Sequence, residues 1–163
     1  MPPINPNNRL LPSIIDRLTD PEAIGTVALP WYGEREMLAA VLADLNDLLN
    51  TRLTVTDIPP EYELTRRSIV AYGLPDLVRY NGVNQQQMGL LSGVIADIIN
   101  RYEPRLTKVR VQILPNDSQH DSRSVRFHID AKLNVDPAPE VGFVTVLELS
   151  TGRASVKADG GRG

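Results

Sequence analysis

The sequence holds no cysteine in its 163 residues. That excludes disulfides, zinc–thiolate sites and thiol catalysis, and it fits a reducing, cytoplasmic setting. No apolar run approaches the roughly 18 residues that a membrane span requires, so direct membrane insertion is not expected. The opening Met1-Pro-Pro-Ile-Asn-Pro-Asn-Asn lacks the basic stretch and apolar core of a secretory signal. Aromatic residues make up only 5% of the chain, few for a surface that stacks against a polysaccharide. Nor is there a surplus of positive charge. Seventeen basic and twenty acidic residues leave a net charge of −3. Residues 1–80 carry −4 and residues 81–163 carry +1, and neither half has the dense basic stripe of a nucleic-acid binder.

What is present suits one soluble domain: 42% hydrophobic and 23% charged residues at a length that buries a self-sufficient core. Residues 1–9, rich in proline and asparagine, are expected to form a flexible N-terminal arm, 10–157 a single domain, and 158–163 a disordered tail. Leu10, Leu11, Ile14, Ile15 and Leu18 recur at helical spacing and predict a short amphipathic helix that ends at Thr19-Asp-Pro. The segment through Pro30, Trp31 and Tyr32 to Gly33 reads as a loop packed on the core. Glu34–Leu49 is the clearest helix, with Met37, Leu38, Val41, Leu42, Leu45, Leu48 and Leu49 in one stripe and acidic residues at its positive end. A short helix follows over about 63–72, with Gly73 suited to its left-handed cap and Pro75 opening a turn. Asn84 and Gln87 form a capping-box pair ahead of a helix that runs to Tyr102, where Pro104 forbids its continuation.

Beyond Pro104 the period changes from 3.6 to 2. Val109, Val111 and Ile113 alternate with Lys108, Arg110 and Gln112. Six apolar residues from Val125 to Val135 then alternate with six polar ones, which predicts a long strand with one buried and one wet face. Val141–Leu149 is a third strand, apolar on both faces near Val144 and Val146. It is therefore either central or covered by a partner. A short fourth strand lies near Ala154–Lys157. Helices first, strands last and short links between strands predict an α+β fold. N-terminal helices then pack on a C-terminal antiparallel sheet of three to four strands.

Chemistry is harder to find. Glycoside hydrolysis needs two carboxylates facing each other across a sugar cleft, and Glu34, Glu61, Glu103 and Glu148 can be nominated. Three of them have a simpler role: a helix N-terminus for Glu34, a loop after a diproline for Glu61, a strand's polar phase for Glu148. His128 and Asp130 share a strand face, and Asp117, His120 and Asp121 precede it, but outward strand positions and turn formers account for them. Ser122 and Ser124 lack a nucleophile elbow, and Gly89 and Gly93 lie within a helix rather than in a phosphate loop. No catalytic residue, cofactor or metal is expected. The informative cluster is Tyr102-Glu103-Pro104-Arg105-Leu106, where helix becomes strand and the opposite charges of Glu103 and Arg105 flank a proline that makes the link rigid. It can act as an internal clamp or as a preorganised partner contact, and both roles are open.

The runs Leu48-Leu-Asn-Thr-Arg52, Ser68-Ile-Val-Ala-Tyr-Gly-Leu-Pro-Asp-Leu77, Tyr102-Glu-Pro-Arg-Leu106, Val125-Arg-Phe and Val135-Asp-Pro-Ala-Pro139 resemble the TssE family. So does Leu11-Pro-Ser-Ile-Ile-Asp-Arg-Leu18, and the likeness spans about residues 10–157. TssE is the baseplate subunit of the bacterial type VI secretion system, similar to the contractile phage tail wedge family, whose phage branch carries a lysozyme-like label. The resemblance implies a non-enzymatic structural protein in a cytoplasmic baseplate beneath the inner membrane, near the inner tube and spike. Its implied partners are TssF, TssG and TssK, with TssB and TssC as the sheath it starts. It further implies that Glu103, Pro104 and Arg105 are the family's characteristic motif. A sheet edge that accepts a sheath strand gives this role a physical route, and which edge stays open. A peptidoglycan-cleaving lysozyme-like enzyme and a small adaptor that binds a regulator are the alternatives.

Overall fold

The computed structural model describes residues 12–19, 32–55, 57–76, 85–114, 124–135 and 137–159, without the side chains of 15–17 and 85–88. Helices come first: α1 (Ile14–Thr19), α2 (Glu34–Asn50), α3 (Glu63–Arg66) and α4 (Gln85–Tyr102). Strands follow: β1 (Leu106–Leu114), β2 (Ser124–Leu133), β3 (Glu140–Glu148) and β4 (Ala154–Ala158). They form one antiparallel sheet in the order β1-β2-β3-β4, the meander that short links without helical crossovers produce. The expected α+β architecture is the one observed.

The two long helices cover one face of this sheet. Met37, Val41, Leu45, Leu48 and Leu49 of α2 and Leu91, Ile95, Ile98 and Ile99 of α4 are buried together with Val125, Phe127, Ile129, Ala131 and Leu133 of β2. Phe143 and Leu147 of β3 and Val156 of β4 complete the core. The opposite face carries the polar phase, including Arg126, His128, Asp130 and Lys132 of β2. β3 is central, as one reading of its sequence allowed. Its outward Val146 remains 40% exposed between Arg126 and Ser155.

Several boundaries differ from the sequence reading, each for a local reason. The expected helix over 63–72 is split into α3 and a 3-10 turn at Ile69–Ala71. Ser68 divides them: its backbone is extended, its hydroxyl donates to the Thr65 carbonyl and accepts from the Val70 amide. A short hydroxyl side chain competing with the helical ladder favours such a break. β2 stops at Leu133 rather than running to Val135: the Asn134 amide still donates to the Arg105 carbonyl (2.7 Å), but the Val135 amide turns back onto the Leu133 carbonyl (2.9 Å) and leaves the ladder. β4 reaches Ala158, and the Asp159 amide donates to the Gly142 carbonyl (2.8 Å), so the first residues of the expected tail are tied to the sheet. α1 begins at Ile14, and Ile14 and Leu18 are exposed rather than turned to the core. Leu10, Leu11, most of 20–31, the Asn84 cap and the 115–123 loop with Asp117, His120, Asp121 and Ser122 lie outside the described residues.

β1 contains a feature that the sequence reading passed over. Thr107 pairs with Lys132 but Arg110 pairs with Asp130, so Lys108 and Val109 together oppose one residue of β2. Lys108 takes a positive φ of 54°. This bulge shifts the phase of the strand by one residue, which lets Leu106 and Val109 both face the core although they are an odd number apart.

Gly73 joins the helical half to the loop beneath it. Its φ is +109°, and a Cβ there would stand 2.5 Å from the Thr51 carbonyl oxygen. The Leu74 amide donates to that same oxygen, and the Leu53 amide returns to the Leu74 carbonyl, both at 2.8 Å. Gly73→Ala is therefore expected to destabilise the fold by more than about 1 kcal/mol. Gly93→Ala, on an exposed stretch of α4 where a Cβ meets nothing within 4 Å, should be neutral or stabilising by up to about 1 kcal/mol. Urea unfolding of the two variants beside the parent checks both signs.

Candidate functional site at the helix-to-sheet joint

α4 ends at Tyr102 and β1 starts at Leu106, leaving three residues to turn the chain from helix into sheet. Pro104 cannot continue the helix, and the Leu106 amide closes the turn on the Glu103 carbonyl at 3.1 Å. This geometry carries the Glu103 side chain inward, where only 3% of it remains exposed. A carboxylate so removed from water must be matched by donors. Arg105 supplies them all: its backbone amide (3.1 Å) and Nε (2.7 Å) donate to Oε1, and Nη2 donates to Oε2 at 2.5 Å. Nη2 also pairs with Asp44 on α2. Three elements are thus joined through one guanidinium.

Burial works against the charge on Arg105, but the bonds to Glu103 and Asp44 outweigh it, so the guanidinium is held protonated even more firmly than usual. Among the described residues its buried Nη1 has no partner, a donor left unspent at a cost on the order of 1–3 kcal/mol. The same surroundings act on Tyr72. Burial first, then the negative charges of Asp44, Asp47 and Glu103, raise its hydroxyl above the ordinary value. Tyr72 and Tyr102 meet edge to face with ring centroids 5.2 Å apart, and the Tyr102 hydroxyl donates to the Ser68 carbonyl at 2.9 Å.

Around the joint opens a cleft of about 350 Å³ lined by Ser13, Asp44, Leu48, Tyr72, Tyr102 and Glu103-Pro104-Arg105. The sequence had singled out the last three. Asp44 and the partnership of Tyr72 with Tyr102 were missed, because nothing in a single sequence brings position 44 to position 105 or position 72 to position 102.

The nominated carboxylates do not share a role. Glu34 opens α2, Glu61 is exposed ahead of α3, Glu148 accepts a hydrogen bond from the Thr151 hydroxyl at 2.6 Å, and Glu103 spends both oxygens on Arg105. Among the described residues no group of three or more His, Cys, Asp or Glu could hold a metal ion. His128 and Asp130 instead form an ion pair on the outer face (3.3 Å), and His128 Nε2 lies 3.0 Å from Asp159. Partial burial disfavours the imidazolium, but the Asp159 hydrogen bond and the Asp130 charge prevail, and the His128 pKa lies above its ordinary value. No helix among the described residues is long and apolar enough to cross a membrane.

Two sets of outcomes follow from this geometry. Arg105→Ala strands the buried Glu103 and is expected to cost about 3–5 kcal/mol, whereas Asp44→Ala, at a carboxylate 46% exposed, should cost about 1 kcal/mol or less. Chemical denaturation separates the two. For His128, a raised folded-state pKa means that its contribution is complete below the unfolded value of about 6.5 and disappears as pH climbs through the folded value. The melting temperatures of the parent and His128→Gln should therefore differ most in mild acid and converge at alkaline pH.

The family model described as baseplate wedge protein gp25 matches residues 35–138, from α2 through the joint and β2. A search of curated proteins found no match. Among solved structures, a chain from the baseplate complex of the type VI secretion system is similar at 17% identity and a TM-score of 0.48, with 71% of this chain and 97% of that chain covered. The family model alone spans well over half of the sequence, and it includes the whole Glu103-Pro104-Arg105 joint: the chain belongs to the baseplate wedge protein gp25 family.

Proposed function

We propose that this protein is a structural component of a type VI secretion baseplate, which joins wedge subunits and starts the contractile sheath. The observation that carries the reading is the match of the wedge family across the joint, combined with a joint built for rigidity. Glu103, Pro104 and Arg105 form a fixed, charge-neutralised corner on the wall of an open cleft. A partner docking there finds its contact surface already ordered and spends little entropy in ordering it. An acceptor that reached Nη1 of Arg105 would also remove a standing penalty.

The partners that fit this role are TssF, TssG and TssK at the cleft and TssB and TssC at the sheet edge, in a cytoplasmic baseplate beneath the inner membrane. Exposed apolar side chains support an assembly role as well: Tyr62, Leu64, Ile69 and Val70 are 43% to 86% exposed within one stretch of nine residues, and apolar surface of that kind is what other proteins cover. A non-catalytic role agrees with the family and with the commitment of Glu103 to Arg105.

Pull-down with the tagged full chain from the native host is expected to recover the wedge subunits. Arg105→Lys keeps the charge but loses the guanidinium fork, and it should lower that recovery. Recovery of no wedge subunit by the parent chain, or hydrolysis of cell walls by the purified chain in a turbidity assay, would refute the reading.

A further inference from the structure

On the outer face of the sheet His128 stands between two carboxylates. Its Nδ1 lies 3.3 Å from Asp130 Oδ1, on the same strand. Its Nε2 lies 3.0 Å from Oδ2 of Asp159, the residue that follows β4. An ionised carboxylate only accepts hydrogen bonds, and a neutral imidazole donates from one nitrogen alone. The imidazolium donates from both, so it alone satisfies both neighbours. In the neutral ring one nitrogen turns its lone pair toward a carboxylate oxygen, and that contact becomes repulsive.

The groups come close because β3 presents Gly142 beside them. A Cβ there would stand 3.3 Å from Asp159 Cβ and 3.4 Å from His128 Nε2. Among the described residues, the other groups near the ring come from each strand. β1 places Arg110 opposite Asp130 and the uncharged Gln112 opposite His128. β2 adds Arg126, β3 sets Val144 beside the ring, and β4 brings Lys157 opposite Val144. Lys132 and Glu140 pair with each other farther along, at 2.8 Å, and the long helices cover the opposite face. Partial burial disfavours a charged ring, as do the cations; the hydrogen bond to Asp159 and the charge of Asp130 outweigh them.

The earlier part of β4 is secured in another way. Asn50 of α2 accepts from the Ala154 amide (3.0 Å) and donates to the Ala154 carbonyl (2.9 Å). Asn46 does the same for Val156, at 3.1 and 3.4 Å. At the far end the Asp159 amide donates to the Gly142 carbonyl (2.8 Å), and the side chain of the same residue reaches His128. Asp130 sits inside a strand paired on both sides, whereas Asp159 follows the last residue of β4. Of the two carboxylates, Asp159 is the one able to withdraw.

We propose that His128 is a pH-responsive clasp, which closes the end of β4 on the sheet when it bridges Asp130 and Asp159 and lets that end fray when the bridge is lost. The clasp lies within the chain, needs no partner and stands apart from the joint at Glu103 and Arg105. Because the folded-state pKa of His128 is raised, the clasp is closed in mild acid and opens as pH climbs through that value.

Amide exchange of the full chain followed by NMR from about pH 5.5 to 9, corrected for intrinsic rates, tests this. Protection of the Asp159 amide is expected to fall about threefold or more, with the midpoint of the His128 ring titration read from its nitrogen shifts. Protection of the Val156 amide, held by Asn46, should not change. His128→Gln should abolish the step, and Asp159→Asn should move the His128 midpoint down. Constant protection of Asp159 while His128 titrates, or a step that persists in His128→Gln, would overturn the clasp. So would an unchanged midpoint in Asp159→Asn, or a parallel loss of protection at Val156, which would mark general unfolding.

Discussion

Burial of the Glu103 carboxylate is the constraint on which the arrangement of this molecule turns. Once the end of α4 carries that charge out of water, a cation must meet it at hydrogen-bonding distance. The nearest one able to donate both from backbone and from side chain is two residues away. Arg105 then has no freedom left, and its remaining reach fixes Asp44 and with it α2. The Arg105 carbonyl accepts from Asn134 and fixes the end of β2. A buried ion pair is weak evidence of net stability, because desolvation consumes much of what attraction returns. Its value here lies in geometry: a single orientation of helix against sheet lets Nε, Nη2 and the backbone amide of Arg105 all find their acceptors.

Much of the fold was legible in the sequence, and the legible parts share a cause. α2, α4 and β2 each repeat an apolar pattern over many residues, and a long pattern survives local exceptions. What was missed is local or distant. Ser68 breaks a helix through one hydroxyl, an effect that periodicity averages away. The bulge was signalled by the odd spacing of Leu106 and Val109, two core residues that an unbroken strand cannot turn to the same side. Val135 extended an alternation that its own amide ends by turning back onto the Leu133 carbonyl.

The site was legible only in part. Glu103, Pro104 and Arg105 stood out because opposite charges around a proline between helix and strand are uncommon neighbours. Asp44 did not, since it reads as one more polar residue on the wet side of a helix. The asparagines gave a usable sign. Asn is a poor helix former whose side chain competes with the backbone. Two of them four residues apart in an otherwise leucine-rich helix, Asn46 and Asn50, call for a task that repays their presence. That task lies more than a hundred residues away in the chain, at β4.

α2 emerges as the element that gives the molecule its asymmetry. Its apolar stripe builds the core, Asp44 anchors the joint, and Asn46 and Asn50 close one edge of the sheet, all from a single helix. A helix that holds the joint and seals β4 cannot shift toward one without straining the other. The opposite edge belongs to β1, which begins at Leu106, one peptide bond after Arg105. The cleft wall and the β1 edge of the sheet are therefore consecutive stretches of one chain. A group seated against the joint would stiffen the start of β1 through backbone already fixed by Glu103 and Arg105, without any change of fold.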